Sequence, residues 1–141
     1  MRVLVSACLI GDNCKYSGGN NRSMKVLRSI TGQEVIPVCP EMLGGLPVPR
    51  PKAEIRNGEV VFETGESADE AFRLGAEKVL EIAKKYRPDL CILQPRSPSC
   101  GKGKVYDGTF SGTLVDGDGV AAKLLMENGF KVVSADELED R

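Results

Sequence analysis

The chain has 141 residues, with 19 lysines and arginines against 20 aspartates and glutamates, so its formal net charge at pH 7 is −1. A near-neutral chain lacks the basic field with which proteins hold nucleic-acid phosphates, which excludes free DNA or RNA as the main partner. The apolar runs fall well short of the roughly 20 residues that span a bilayer, so no membrane insertion is expected.

Short apolar segments alternate with helical patterns, over a length typical of one domain that spans 1–141. Strands are predicted, in chain order, over 2–7, 34–38, 90–93 and 131–134. Helices are predicted over about 21–29, 68–86 and 119–128. Strands joined by helical crossovers pair in parallel, so we expect an α/β fold, a Rossmann-like three-layer sandwich with a small, mostly parallel sheet.

Local signals define the ends of these elements. Ser67 and Glu70 have the spacing of a capping box at the start of the longest helix, and Pro88 stops it. Gly129 is expected to end the last helix. Asn57-Gly58 lies between apolar runs, which predicts an inserted β-hairpin over 55–60.

The N-terminal stretch MRVLVSACLIG is interpreted as a strand entering a loop rather than a signal peptide, because Asp12 and Asn13 end its apolar run. We therefore expect a cytoplasmic protein, in whose reducing surroundings five cysteines favour metal binding or catalysis over disulfides. The chain has no histidine, which removes the commonest general base and the commonest neutral metal ligand.

Three cysteines follow three different predicted strands. Cys8 comes just after the first strand, Cys39 just after the second, and Cys100 lies in the Pro/Gly/Ser loop RSPSCGKGK after the third. The carboxyl ends of parallel strands meet at one edge of the sheet, where ligands bind in such folds. We therefore predict that these three thiols converge on one site.

The other two cysteines are weaker candidates. Cys91 lies inside an apolar strand segment, where a buried and inert thiol is expected. Cys14 could be a fourth ligand, a resolving thiol or a spectator without a role in the site. The spectator interpretation is favoured because no spacing rule singles this cysteine out.

The spacing of the residues argues against several common sites. Structural zinc sites usually have paired ligands such as CxxC, and none of these cysteines is so paired. A phosphatase-like loop beginning at Cys8 would need an arginine where Cys14 stands. The glycine-rich stretches 101–104 and 116–119 lack the pattern of a P-loop or an EF-hand and are interpreted as turns.

An iron-sulfur cluster fits these cysteines better, because thiolates are its usual ligands and they can come from separate loops. Four cysteines would saturate a cluster and favour electron transfer. Three would leave one iron open, as catalysis by Lewis acidity requires.

Motifs along nearly the whole chain also resemble those of the DUF523 family, which includes the thiouracil desulfidases. The matching stretches are SACLIG with KYSGG behind it, PVCPEMLGGLPVPRP, RSPSCGKG and VYDGTFSGTLVDGDGVAAKLL. The resemblance implies a [4Fe-4S] cluster held by Cys8, Cys39 and Cys100, which can be lost in aerobic preparations. It also implies that Glu41 and Ser97 are the catalytic acid/base residues.

The resemblance implies a desulfidase that removes sulfur from a thiolated pyrimidine such as thiouracil, a small-molecule thiolated nucleobase, with the open iron as sulfur acceptor. We expect such an enzyme to be a monomer. A non-catalytic module that carries an iron-sulfur cluster or sulfide is the alternative. An enzyme needs a substrate-sized cavity beside the cluster, whereas a carrier needs the cluster exposed to a partner.

The residues themselves leave other interpretations open for the catalytic candidates. A carboxylate such as Glu41 near bound water can act as a general base, but acids also favour the first turn of helices. Ser97 and Ser99 both suit backbone bonding in a turn. Four basic side chains can neutralise the cluster or contact the substrate: Arg50, Arg96, Lys102 and Lys104. Such residues are usually solvated surface charges, which is the alternative interpretation for each of them.

Overall fold

The computed structural model describes residues 1–138. Along the chain the helices and strands are β1 Arg2–Ser6, α1 Met24–Ile30, β2 Glu34–Val38, α2 Pro40–Leu43, β3 Ala53–Arg56, β4 Glu59–Phe62, α3 Asp69–Tyr86, β5 Leu90–Leu93, β6 Lys104–Tyr106, β7 Leu114–Asp116, α4 Val120–Glu127 and β8 Val132–Ser134. Four of the strands form a parallel sheet in the order β2-β1-β5-β8. The predicted α/β class with a small parallel sheet is confirmed.

Both faces of the sheet are covered, because successive side chains of a strand point to opposite faces. Val3 and Val5 of β1 pack on one side with Val26 of α1. Leu4 and Leu93 pack on the other side against α3 and α4. The chain therefore folds as three layers. Within residues 1–138, no helix combines the length and apolar character needed to cross a membrane.

Two antiparallel strand pairs stand outside the main sheet. The predicted hairpin is present as β3 and β4, and both Asn57 and Gly58 at its turn have positive φ, as a tight two-residue turn requires. The pair β6 and β7 is not predicted from the sequence. Its strands are only three residues long, too short to show a strand pattern. The glycine-rich stretches 101–104 and 116–119 beside them are interpreted only as turns.

The start of α3 differs from its sequence prediction. The helix is capped by Ala68 without a side-chain hydrogen bond, so the predicted capping box of Ser67 and Glu70 is wrong. Ser67 instead bridges to Val61 beside the hairpin, and its hydroxyl accepts a hydrogen bond from the Asp69 N–H. Ser67 therefore pairs with Val61 instead of capping the helix as the local sequence pattern predicts.

A close contact between α2 and α3 positions the segment after β2. A Cβ at Gly75 of α3 would lie 1.9 Å from the Pro40 carbonyl oxygen, and one at Gly44 would lie 2.1 Å from the Ala71 carbonyl oxygen. Neither position has room for a side chain, because backbone lies against both. The two glycines thus allow α2, which carries Glu41, to lie directly on α3.

The loop that carries Cys100 is held by the first turn of α4. The Val120 N–H donates to the Pro98 carbonyl at 2.8 Å, and the Ala121 N–H donates to the Ser99 carbonyl at 2.9 Å. These bonds satisfy amide groups that a helix start leaves without intrahelical partners. A Cβ at Gly119 would lie 2.5 Å from the Ser99 carbonyl carbon, so the loop and the helix start touch through backbone.

Candidate active site

A cavity of about 340 Å³ opens at the carboxyl ends of β1, β2 and β5. Its volume is in the range of small-molecule sites. Cys8 reaches it from the 3-10 helix that follows β1, Cys39 from the residue after β2, and Cys100 from the loop after β5. Glu41 and Ser97 line the same cavity. The structure thus brings together all five residues selected from the sequence.

The local surroundings favour the thiolate form of two of these cysteines. A hydrogen bond from the Cys14 thiol, with smaller contributions from the Met42 backbone and Arg50, lowers the pKa of Cys39 to about 6 against the effects of burial and of the Glu41 carboxylate. The Cys14 thiol also lowers the pKa of Cys8, again against burial. The Asn21 amide contributes a donor 3.6 Å from the Cys8 sulfur.

Cys100 and Cys14 have the opposite tendency. Burial raises the pKa of Cys100 to about 12, because the thiol is only 4% exposed. Interactions with Cys39 and Cys8, together with burial, raise the pKa of Cys14, which favours its neutral thiol form. Cys91 is fully buried, as predicted, in the core between the sheet and helices α3 and α4, and burial raises its pKa to about 12.

Glu41 forms a largely buried ion pair with Arg50. The Arg50 Nε lies 3.1 Å from Glu41 Oε1, with the arginine side chain 2% exposed and the glutamate side chain 17% exposed. Arg50 also donates to the Cys14 carbonyl at 2.7 Å and to the Pro47 carbonyl at 3.1 Å. The expectation of a solvated surface arginine is wrong, because carbonyls of two loops and one carboxylate satisfy this guanidinium.

Two serine hydroxyls continue from the other oxygen of Glu41. The Ser99 hydroxyl donates to Glu41 Oε2 at 3.0 Å, and the Ser97 hydroxyl lies 2.9 Å from the Ser99 hydroxyl. Ser97 Oγ also accepts the Ser99 and Cys100 N–H groups, each at 3.1 Å. Ser99 is 1% exposed, and sequence reasoning did not separate it from a turn residue.

The remaining cations behave in two ways. Lys102 pairs with Glu137 and Lys104 pairs with Asp116, at the surface and outside the cavity, so their expected surface role is confirmed. Arg96 is exposed but lines the cavity, and its φ of +66° is uncommon for a residue with a side chain.

The side chains around the cavity that could bind a metal are thiols and carboxylates. Within residues 1–138, no group of three or more Cys, Asp or Glu side chains is arranged to hold a single metal ion. The ligands of a four-iron cluster stand farther apart than those of one ion, and they are thiolates that separate loops can supply. Cys8, Cys39 and Cys100 come from three separate loops and line one cavity, which is a donor set that suits such a cluster.

Comparison with known proteins agrees with this geometry. A protein family described as 2-thiouracil desulfurase matches residues 3–137. The chain belongs to this family. The family resemblance read from the sequence motifs is therefore confirmed.

Two relatives of this 2-thiouracil desulfurase family member cover almost all of the chain. One is "Uncharacterized protein YbbK" of Bacillus subtilis (strain 168), 40% identical over an alignment of 148 positions that covers 98% of each protein. The other is a solved structure of the [4Fe-4S]-dependent thiouracil desulfidase TudS (DUF523Vcz), which is 36% identical with a TM-score of 0.91. That match covers 97% of this chain and 92% of the other, which also confirms the three-layer fold.

Proposed function

We propose that this family member is a desulfidase that removes sulfur from a thiolated pyrimidine such as thiouracil. One observation carries the proposal: a single substrate-sized cavity joins three strand-end cysteines to the hydrogen-bonded series Glu41, Ser99 and Ser97. The net reaction is hydrolysis, in which water supplies the oxygen of the uracil product and sulfide leaves. It needs no oxidant or reductant.

Cys8, Cys39 and Cys100 are the residues that would hold a [4Fe-4S] cluster in this proposal. When bound through three thiolates, such a cluster supplies an open iron that acts as a Lewis acid and takes the sulfur. The donors near Cys8 and the neighbouring Arg50 compensate the negative charge that thiolates bring into a buried site.

Glu41 would serve as the proton acceptor. Arg50 binds one carboxylate oxygen and fixes the plane of the group, while the other oxygen accepts from Ser99. With Ser99 donating to Glu41, the Ser97 hydroxyl is left to donate to Ser99, so a proton can pass from the cavity through Ser97 and Ser99 to Glu41. A positioned base of this kind directs water onto the carbon that carries sulfur.

The carrier alternative is less well supported by these features. A module that passes a cluster to a partner needs the ligands close to the surface, whereas Cys8 is 9% and Cys100 is 4% exposed and Cys39 is half-buried. A carrier has no use for a proton path beside its ligands. The burial and the Glu41–Ser99–Ser97 series favour an enzyme.

Anaerobic reconstitution followed by iron and sulfide analysis, and then by assays with 2-thiouracil and 4-thiouracil, tests the proposal. Loss of the thiocarbonyl absorbance with release of one sulfide per uracil is expected. A protein with a full cluster that turns over neither thiouracil would contradict the proposed substrate class and favour the carrier.

A further inference from the structure

The loop 107–113 between β6 and β7 brings an aromatic ring to the cavity. Phe110 lies near its middle and lines the cavity together with Tyr106 of β6. Its φ of +58° is the left-handed region, which is rare for a bulky side chain. Such a conformation persists only where surrounding contacts fix it, and it is concentrated at ligand sites.

A buried carboxylate fixes the backbone of this loop. Glu54 of β3 is 8% exposed, and its Oε1 accepts the Gly108 N–H at 3.0 Å and the Phe110 N–H at 3.1 Å. Two amides on one charged oxygen are strong hydrogen bonds, because the acceptor is ionised. Glu54 thus determines where the Phe110 backbone lies.

Arg56, two residues after Glu54 and on the same face of β3, adds a second attachment. Arg56 donates through Nε and Nη2 to the Gly108 carbonyl at 2.9 and 2.6 Å, and its guanidinium lies 5.9 Å from the centre of the Phe110 ring. A Cβ at Gly108 would lie 2.8 Å from the Ile55 carbonyl oxygen, so the loop touches β3 through backbone. None of these contacts involves a cysteine, Glu41 or Ser97.

We infer that Phe110 is a substrate-binding residue whose ring stacks on the planar pyrimidine, and that Glu54 and Arg56 are positioning residues that hold it there. The inference rests on the proposed function for its substrate class. A nucleobase presents a π-face to any aromatic side chain, so stacking binds the ring without using its polar edge. The edge remains free to face Ser97 and the thiols, where the chemistry is proposed.

A tryptophan substitution gives a direct binding test, because the chain contains no tryptophan. Uracil added to reconstituted Phe110→Trp protein is expected to quench the indole fluorescence in a saturable manner. Tyr86→Trp is the matched control, since Tyr86 is exposed at the end of α3 and does not line the cavity, and it is expected to show no saturable change. Equal responses of the two variants, or no response in either, overturn the inference.

Kinetics with 2-thiouracil form the second test. Phe110→Ala is expected to raise KM at least about 10-fold, with a much smaller change in kcat, as loss of one base-aromatic stack implies. Phe110→Tyr is expected to restore most of the affinity, and iron content is expected to match that of the unmodified protein. An unchanged KM in Phe110→Ala overturns the inference.

The positioning role of Glu54 is tested in the Phe110→Trp background. Adding Glu54→Ala is expected to weaken uracil binding, and Glu54→Gln, which keeps an acceptor oxygen, is expected to recover much of it. Equal affinity in all three proteins contradicts the role of Glu54. Uracil binding needs no turnover, so saturable quenching in a protein that fails to desulfurate thiouracil would reject the proposed reaction and leave the stacking site standing.

Discussion

Glu41 lies between a buried cation and a hydroxyl, and this environment distinguishes it from a surface acid. Arg50 holds one oxygen and Ser99 the other, at 3.1 and 3.0 Å. Removal of one partner from a buried ion pair costs about 3–5 kcal/mol, because the other charge is left uncompensated. Two partners from different loops therefore keep the carboxylate at one place in the cavity.

Replacement of the two proposed acid/base residues separates chemistry from cluster binding. Glu41→Gln and Ser97→Ala are expected to retain iron but to lose at least about 10²-fold in turnover, the lower range for removal of a positioned acid or base. Iron analysis and thiouracil assays check this expectation. Glu59→Gln, at an exposed position on β4, is the matched control, and Cys100→Ser is expected to lose iron and activity together. Full activity in both variants would remove Glu41 and Ser97 from the mechanism.

Ser99 is expected to be as important as Ser97. Its hydroxyl links Ser97 to Glu41. Ser99→Ala therefore removes both hydrogen bonds of the path, the one to Ser97 at 2.9 Å and the one to Glu41 at 3.0 Å. A loss of turnover of about 10²-fold with unchanged iron content is expected. Ser29→Ala, on α1 and outside the cavity, is the control, and an active Ser99→Ala enzyme would show that Ser97 acts without this link.

Cys14 is expected to be dispensable for cluster binding, because it does not directly follow a strand of the sheet and its thiol is a hydrogen-bonding neighbour of Cys39 and Cys8. Cys14→Ser keeps a donor at that place, so iron content and visible absorbance after reconstitution are expected to be retained. Cys39→Ser provides the comparison and is expected to lose both. Equal loss in the two variants would mean four thiolates, and electron transfer or the carrier would become the better explanation.

Among the secondary-structure elements, the contact of α2 with α3 has the most direct effect on the site. Gly75 lies within the helix predicted over 68–86 and is buried in α3, but the helix prediction does not reveal why the residue is glycine. The Pro40 carbonyl occupies the space of a side chain there. Because Gly75 has no Cβ, the short helix α2 can lie directly against α3. This contact determines the position of α2 and of Glu41, which it carries.

Gly75→Ala is expected to destabilise the fold by about 1–3 kcal/mol, the usual cost of overpacking, and to lower turnover by displacing Glu41. Denaturant unfolding and the thiouracil assay measure the two effects. Glu81→Ala, at an exposed position of the same helix, is the control for helix propensity. A Gly75→Ala protein of unchanged stability would contradict the close approach of the two helices.

At the level of the whole molecule, the proposed ligands tie together three loops that are far apart in sequence. Cys8, Cys39 and Cys100 follow β1, β2 and β5. A ligand that binds the folded state through all three, and the unfolded chain only weakly, stabilises the fold by mass action. Removal of the cluster should therefore loosen one end of the sheet while the opposite end stays packed.

Reconstitution is therefore expected to raise Tm by several degrees, since each kcal/mol corresponds to about 3 °C or more in a chain of this size. Calorimetry of the reconstituted and the iron-free protein under anaerobic conditions measures the shift. Cys100→Ser is the control and is expected to show no increase after the same treatment. An equal increase in Cys100→Ser would show that iron stabilises the protein at another place.

The pattern of apolar segments was sufficient for the main sheet and the helices that cover it, because strand and helix periodicities are local properties that the burial of both sheet faces reinforces. It placed Cys8, Cys39 and Cys100 at strand ends, and the topology of a parallel sheet then brings them together. The capping box at Ser67 was wrong for the converse reason, since pairing with Val61 outweighed a local preference.

The amino-acid sequence alone thus determined the layers, the strand ends that carry cysteines and the family motifs, all of which depend on periodicity and chain order. Only the tertiary structure decided that Arg50 is buried against Glu41, that Ser99 joins Glu41 to Ser97, and that Glu54 holds Phe110 beside the cavity. Each of these contacts joins segments that are distant along the chain or aligns side chains within a loop. Their energies depend on burial and on donor-acceptor geometry, which exist only once the loops have packed.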